Sequence, residues 1–235
     1  MKSGTFEVPK GVSGVRVVVI GGGAGGGSGS KGGGGSGYVE YKFIDVKYKE
    51  AYEIIVGKGG ESDENGGNSS FGTLLYAEGG KTAIDENGGD GGSGGGAGVR
   101  NGSAYAGSGA WNGTDGVSSE DSYHGGKGQN NWYLKLLNFE LKRITVGPGG
   151  YAGFPGDNCD AAGGGGGGGV TVDHTILTAG SGAIDTDCKG RGGWCFGAGG
   201  GAGGTGLNGS HNKGGSGADG LVYIEYSHAV NTVEN

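Results

Sequence analysis

The chain has 235 residues, of which 68 are glycine, and 17 basic against 24 acidic residues give a formal net charge of −7. Negative charge without a Lys or Arg cluster excludes nucleic acid and anionic membrane surfaces as partners, and no run of about 18 apolar residues exists to cross a bilayer. Three prolines without a Gly-X-Y period exclude collagen.

Along the chain, residues 5–8 read as a strand followed by a Pro9-Lys10-Gly11 turn, and Met1-Lys2-Ser3-Gly4 runs straight into it, so no signal peptide is expected. Residues 14–20, with Val15, Val17 and Val19 around Arg16 and Val18, form a β-branched run of a buried strand. Residues 38–46 alternate Val39, Tyr41 and Phe43 against Glu40 and Lys42, then slip phase at Ile44. Tyr52, Ile54 and Val56 alternate again. Near residue 134 the period is ambiguous: Leu134, Leu137, Leu141 and Ile144 fit a helical face, whereas Leu137, Phe139 and Leu141 fit a strand. The pattern I-x-V-G-x-G-G, at Ile54 to Gly60 and again at Ile144 to Gly150, favours two similar strand-to-turn transitions. Residues 170–177 and 221–226 complete the strands, the last pairing back with the N-terminal ones. This predicts one domain over residues 1–228 and a C-terminal tail at 229–235.

Between the strands, glycine runs such as 32–35, 163–169 and 199–201 need a physical reason to be ordered. Backbone entropy opposes folding by about 1–2 kcal/mol per residue, and glycine has no side chain to bury in return. The offset available is hydrogen bonding between runs laid side by side as extended, three-residue-per-turn helices, which form no internal hydrogen bonds.

Several motifs resolve into their plainer readings. Gly21-Gly22-Gly23-Ala24-Gly25-Gly26 after a hydrophobic strand, with Glu40 about 20 residues on, matches the dinucleotide fingerprint. That fingerprint needs a helix to receive the pyrophosphate, and nine glycines within residues 24–37 forbid one. Gly79-Gly80-Lys81-Thr82 imitates a phosphate loop, but Leu75 stands where its first glycine belongs. No nucleophile elbow or H-E-x-x-H occurs, and the pairs Asp63–Glu64 and Asp85–Glu86 sit in turns, so no enzymatic chemistry and no cofactor are expected. The N-x-S/T triplets at Asn68, Asn101, Asn112 and Asn208 read as turns at least as well as glycosylation acceptors. Cys159, Cys188 and Cys195 are too few for a disulfide scaffold. Cys188 and Cys195 either close a small loop around Arg191 and Trp194 or stand as free buried thiols, and scattered histidines make a metal site improbable.

The informative residues are the large aromatics between glycine runs: Trp111, Tyr123, Trp132, Tyr133, Trp194 and Phe196, with His124 and His211. Aromatics on rigidly held loops supply contact area at small entropic cost and suit recognition, although some must plug the glycine region or sit under the sheet.

The opening Phe6-Glu7-Val8-Pro9-Lys10-Gly11-Val12, the Asn68-Ser69-Ser70-Phe71-Gly72 turn and the closing Gly217-Ala218-Asp219-Gly220-Leu221-Val222-Tyr223-Ile224-Glu225-Tyr226 resemble the glycine-rich domains of bacteriophage tail-fibre and receptor-binding proteins. They are also similar in style to the glycine-rich region of anaplastic lymphoma kinase-like receptors. The resemblance implies an all-β fold: a β-sandwich closed by its N- and C-terminal strands, with an inserted bundle of polyglycine II helices. It further implies an adhesin on a virion surface or outside the cell, whose loops, here 101–115, 118–131 and 185–196, bind a host cell-surface glycan or protein. The candidate contact residues are therefore Trp111, Tyr123, His124, Trp132, Tyr133, Trp194 and Phe196. The second reading is a filament or coat subunit assembling with copies of itself or other virion subunits. An ice-binding role is weaker, because regular threonine arrays are missing.

Overall fold

A computed structural model describes residues 2–98, 108, 144–146, 149–151, 153, 159–161, 163–172, 180 and 188–227, with 144–146 and 159–161 as backbone only. Among these residues the protein is all-β, without a helix. In chain order the strands are β1 (Gly4–Glu7), β2 (Gly14–Ile20), β3 (Val39–Asp45), β4 (Ala51–Ile55), β5 (Ser69–Phe71), β6 (Leu75–Ala77), β7 (Ile144–Val146), β8 (Cys159–Ala161), β9 (Val170–Val172), β10 (Thr205–Gly206) and β11 (Leu221–Glu225). All pairings between them are antiparallel. One sheet runs β1-β4-β5-β6, another β11-β2-β3, and two short ladders join β7 to β9 and β8 to β10. The last strand does pair back with the first half of the chain: β11 lies on β2, with Leu221 opposite Ile20 and Glu225 opposite Arg16.

The unbroken apolar run of β2 has a direct cause, since the strand is buried on both faces. Val15, Val17 and Val19 join a core with Val8, Phe71 and Ala77, to which Phe6, Tyr52 and Ile54 of the other sheet also pack. Val18 and Ile20 face a second cluster with Val39, Leu221 and Val170. This also explains β3. Its alternation never slips: Val39 and Tyr41 face the second cluster, whereas Ile44 and the following Val46 face the first, so the strand is apolar on opposite faces at its two ends.

The β5–β6 hairpin is legible only in the structure, because two three-residue strands are too short to show a period. Its residues are fully used. Phe71 is completely buried and stacks on Tyr52 with 4.7 Å between ring centroids. Ser69 Oγ accepts from Gly57 N–H at 2.9 Å and donates to the Ile20 carbonyl at 2.7 Å. The β4 and β7 strands both lead into glycines, as the repeated I-x-V-G-x-G-G implies; the remainder of the expected strand around residues 134–143 and of 173–177 lies outside the described residues.

Glycine segments fill the space beyond the sheets, and their hydrogen bonds recur every third residue. From Gly21 to Gly27 the N–H groups donate in turn to the carbonyls of Tyr38, Gly67, Ala218, Gly35, Glu64, Gly215 and Gly32, at 2.8–3.0 Å. Residues 21, 24 and 27 thus share one neighbouring segment, 22 and 25 a second, and 23 and 26 a third. The carbonyls of Gly22, Gly23, Ala24, Gly26 and Gly27 accept from Gly80, Gly60, Gly200, Asp63 and Gly203. The segment 32–38 repeats the scheme: Gly33 and Ser36 reach Gly96 and Ser93, Gly34 and Gly37 reach Gly200 and Gly197, Gly35 and Tyr38 reach Lys81 and Glu78. Residues 21–26 consequently have no N–H left for a pyrophosphate, which removes the dinucleotide reading on geometry as well as on composition.

Absence of a side chain is a packing requirement here. A Cβ on Gly25 would fall on the carbonyl oxygen of Glu61, and one on Gly21 on that of Glu78. Overlap with fixed backbone cannot be relieved by a rotamer change.

Candidate functional site

Among the described residues, glycine segments that leave the two larger sheets return through tight turns, and four such turns gather away from those sheets: residues 28–31, 61–64, 84–87 and 207–211, the last directly following β10. Side chains and backbone lock them together. Asp63 Oδ1 accepts from Lys31 Nζ at 2.8 Å and from Ser28 N–H at 3.2 Å. Ser30 Oγ and Thr205 Oγ1 lie 2.8 Å apart, Gly32 N–H donates to Asp85 O, and Gly29 N–H donates to Asn212 O. Ser62 Oγ accepts from Gly214 N–H at 2.9 Å.

The backbone is strained at the same place. Among the described residues, five non-glycine residues have a left-handed φ, and three of them, Ser30 at 70°, Asp63 at 65° and Asp85 at 51°, occupy these turns. Each such residue costs on the order of 1–3 kcal/mol and persists only where its surroundings fix it. The carboxyl of Asp63 shows that fixing: burial pushes its pKa up, but the hydrogen bonds from Lys31 and Ser28, with the Lys31 charge, outweigh it and hold the group below the ordinary carboxylate range. Asn208 Oδ1 accepts from Ser210 N–H at 2.9 Å, an Asx turn that accounts for this N-G-S triplet.

The surface so formed is polar and stiff, with two apolar side chains projecting from it, Ile84 at 73% and Leu207 at 62% exposure. Beside Ile84 a cavity of about 300 Å³ is lined by Lys81, Thr82, Asn87 and Asp90. Among the described residues no group of three or more His, Cys, Asp or Glu is arranged to hold a metal ion. What this end offers is preordered hydrogen-bonding groups and apolar contact, the requirements of a recognition surface.

The aromatic residues singled out from the sequence separate into three groups. Trp111, Tyr123, His124, Trp132 and Tyr133 lie outside the described residues, as do the loops 101–115 and 118–131 except Ser108. Phe196 is partly buried: it exchanges backbone hydrogen bonds with Val170 at 2.8 and 2.9 Å and packs on the second cluster. Trp194 is 71% exposed, but on the flank of the glycine region. Within the expected loop 185–196, residues 190–193 are hydrogen-bonded alongside 213–216, Gly190 N–H donating to Lys213 O and Gly193 N–H to Ser216 O. His211 sits among the remote turns, exposed, its ring where a Cβ on Gly29 would fall.

The cysteines correct the pairing considered above. Cys195 is a free thiol whose burial pushes its pKa up to about 11, while Cys188 is disulfide-bonded. Cys188 and Cys195 are therefore not joined to each other.

Sequence reading missed the side chains that stand in for backbone. Asn65 Oδ1 and Asn68 Oδ1 accept from Thr82 and Gly79 N–H at 2.8 and 3.0 Å, so asparagines three apart meet donors three apart on the next segment. Asp219, in Gly217-Ala218-Asp219-Gly220, accepts from Gly59 N–H at 3.0 Å and pairs with Lys58 Nζ at 2.7 Å. A search for non-glycine residues spaced by three would have found the asparagine pair.

No curated protein matches the chain. A family model described as a glycine-rich domain matches residues 1–227. Spanning both sheets, the glycine segments and the closing strand, that match shows that the chain belongs to the glycine-rich domain family.

Proposed function

We propose that this protein is a non-enzymatic receptor-binding module, an adhesin of the kind carried at a phage tail-fibre tip or on a virion surface, that attaches to a host cell-surface glycan or outer-membrane protein. In this reading the two sheets form a β-sandwich closed by β1 and β11, and the glycine segments form a bundle of polyglycine II helices. The three-residue recurrence of donors along 21–27 and 32–38 supports the helices, and the core shared by β2, β4 and β5 supports the sandwich.

The observation that carries the function is the division into two ends. Both terminal strands lie in the sheets, while four cross-linked turns with strained backbone face away from them. A surface ordered before contact loses little conformational entropy on binding, which is the physical return on so costly an arrangement.

Fluorescently labelled protein should adsorb saturably to host cells and be displaced by unlabelled protein. The double variants Ile84→Arg/Leu207→Arg and Trp111→Ala/Tyr123→Ala should each reduce adsorption with an unchanged far-UV CD spectrum; adsorption to no bacterial or eukaryotic surface would reject the reading. Amides of Gly199 to Gly203 should resist hydrogen exchange, since each donates to a neighbouring segment.

Edge strands favour the second reading, a filament or coat subunit. Among the described residues, the strands β1, β6, β11 and β3 each end a sheet, the position at which a further strand can add. Concentration-dependent polymerisation of the purified chain would support it.

A further inference from the structure

We propose that a second copy of this chain docks along the β1 and β11 edges, in a two-fold dimer where β11 of each protomer pairs with β1 of the other; this goes beyond the receptor-binding reading and stands without it. The two sheets that share the first core cluster are unequal, four strands facing three. Strand β6 approaches β2 and β3, and β5 approaches β2 and β11, so β4 and β1 extend past the β11 edge. Burial follows this overhang. Val15, Val17, Val19 and Phe71 are fully buried, whereas Phe6 and Ile54 on the overhang, with Val222 and Ile224 on β11, are only half-buried members of the same cluster.

Main-chain groups are open at the same two edges. Val46 N–H donates to Ser13 O and Gly21 N–H to Tyr38 O, so odd-numbered residues of β2 bond toward β3 and even-numbered ones toward β11. The latter meet Leu221, Tyr223 and Glu225, which leaves the N–H and C=O of Val222 and Ile224 directed outward. On β1, Val8 N–H donates to Glu50 O, so Gly4 and Phe6 bond toward β4 while Thr5 and Glu7 are directed outward. Among the described residues, none of these four has a backbone partner on its outer side.

The two edges complement each other. Strands β2 and β4 both run toward the glycine segments, their ends bridged by Ser69, so their antiparallel neighbours β11 and β1 share one direction. A two-fold axis parallel to the strands therefore lays β11 beside the partner's β1 as a parallel pair. With Ile224 opposite the partner's Phe6, its N–H reaches the partner's Thr5 O and its carbonyl takes the partner's Glu7 N–H, the alternation a parallel ladder requires. Ile224 and Phe6 both face the core, so this register also closes the half-buried apolar region. Two continuous sheets result, each joining the four strands of one copy to the three of the other. Pairing β11 with the partner's β11 instead would drive the two overhangs into one another. Because the axis parallels the strands, both glycine ends point the same way, and in the receptor-binding reading the dimer is bivalent.

Sedimentation velocity on the full chain, from about 1 μM to about 1 mM, tests this. A dimer should form, and Thr5→Pro, which removes an N–H that β4 does not use, should raise its dissociation constant about tenfold or more; Thr5→Val should not. Hydrogen exchange on the wild type needs no variant to fold. Amides of Thr5, Glu7, Val222 and Ile224 should be protected at high concentration and lose that protection on dilution, whereas those of Phe6 and Tyr223 stay protected throughout. A chain that remains monomeric, or a dimer indifferent to Thr5→Pro, overturns the proposal. Protection of Val222 and Ile224 in the dilute monomer also overturns it, by making residues 228–235 of the same chain the occupant of the edge.

Discussion

At Phe71 a large ring is wholly buried against Tyr52 and Phe6, whereas at Gly25 a single added carbon would collide with a carbonyl oxygen. The two sites lie in one chain and both exclude water, but one region coheres by filling space with side chains and the other by removing them so that backbones can meet. The first draws on the hydrophobic effect, which is non-directional and scales with apolar area. The second draws on main-chain hydrogen bonds, each contributing about 1 kcal/mol net and demanding a fixed geometry. A side-chain core tolerates substitutions of similar volume. A backbone lattice has no volume to exchange.

The largest effect should come from emptying the side-chain core. Phe71→Ala is expected to cost about 3–5 kcal/mol in chemical denaturation, with Phe71→Leu clearly milder. The backbone region reverses the usual order of residue sizes. Gly25→Ala should destabilise by about 1–3 kcal/mol, although alanine is ordinarily the more favourable residue, while the adjacent Ala24→Gly should cost no more than about 1 kcal/mol. Equal effects from Gly25→Ala and Ala24→Gly would break the contrast.

At the junction of the regions, Ser69→Ala strands the Gly57 N–H and the Ile20 carbonyl in a buried site. The expected loss is about 1–3 kcal/mol, measured against Ser70→Ala, whose side chain is on the opposite face of β5.

Acid should act next. Burial pushes the Asp219 carboxyl up, but hydrogen bonds from Lys58 and Gly59, with the Lys58 charge, prevail and lower its pKa; the Asp63 carboxyl is lowered likewise. A depressed carboxyl contributes stability that is complete above its unfolded value of about 3.9 and disappears as pH falls through the folded value. The difference in stability between wild type and Asp219→Asn, under about 1 kcal/mol for so accessible a pair, should therefore hold at neutral pH and vanish as pH falls through the depressed folded value. The smallest effect is a sharpening one. Ser93 Oγ is buried without a partner, so Ser93→Ala should be neutral or stabilise by about 0.5 kcal/mol.

The regions were unequally legible. Strands β2 and β3 follow from β-branched runs and alternation, and the exclusion of a helix after Ile20 follows from glycine density alone. Ile44 misled, because a strand buried on opposite faces at its two ends imitates a break in phase. The β5–β6 hairpin was hidden by its brevity. Phe196 was grouped with Trp194 because both fall in a loop-like stretch between glycine runs, yet the bridge to Val170 draws Phe196 against the second cluster while Trp194 stays exposed. Of the remote turns, Asp63 and Asp85 were visible only as residues of solvated loops, since their roles depend on Ser28, Lys31 and Gly32 of another turn.

Amino-acid order alone established an all-β chain, the place of its principal strands and the need for glycine segments to pair laterally, because alternation, β-branching and missing side chains act on neighbouring residues. It did not establish which segment meets which, that four turns share one end, or that Cys188 and Cys195 remain unjoined. Those depend on folding in three dimensions: successive glycines are chemically identical, so nothing local distinguishes the carbonyl of Gly67 from that of Ala218 as the acceptor for a given N–H. The choice is made by the sheets, which set where each segment starts and in which direction it runs.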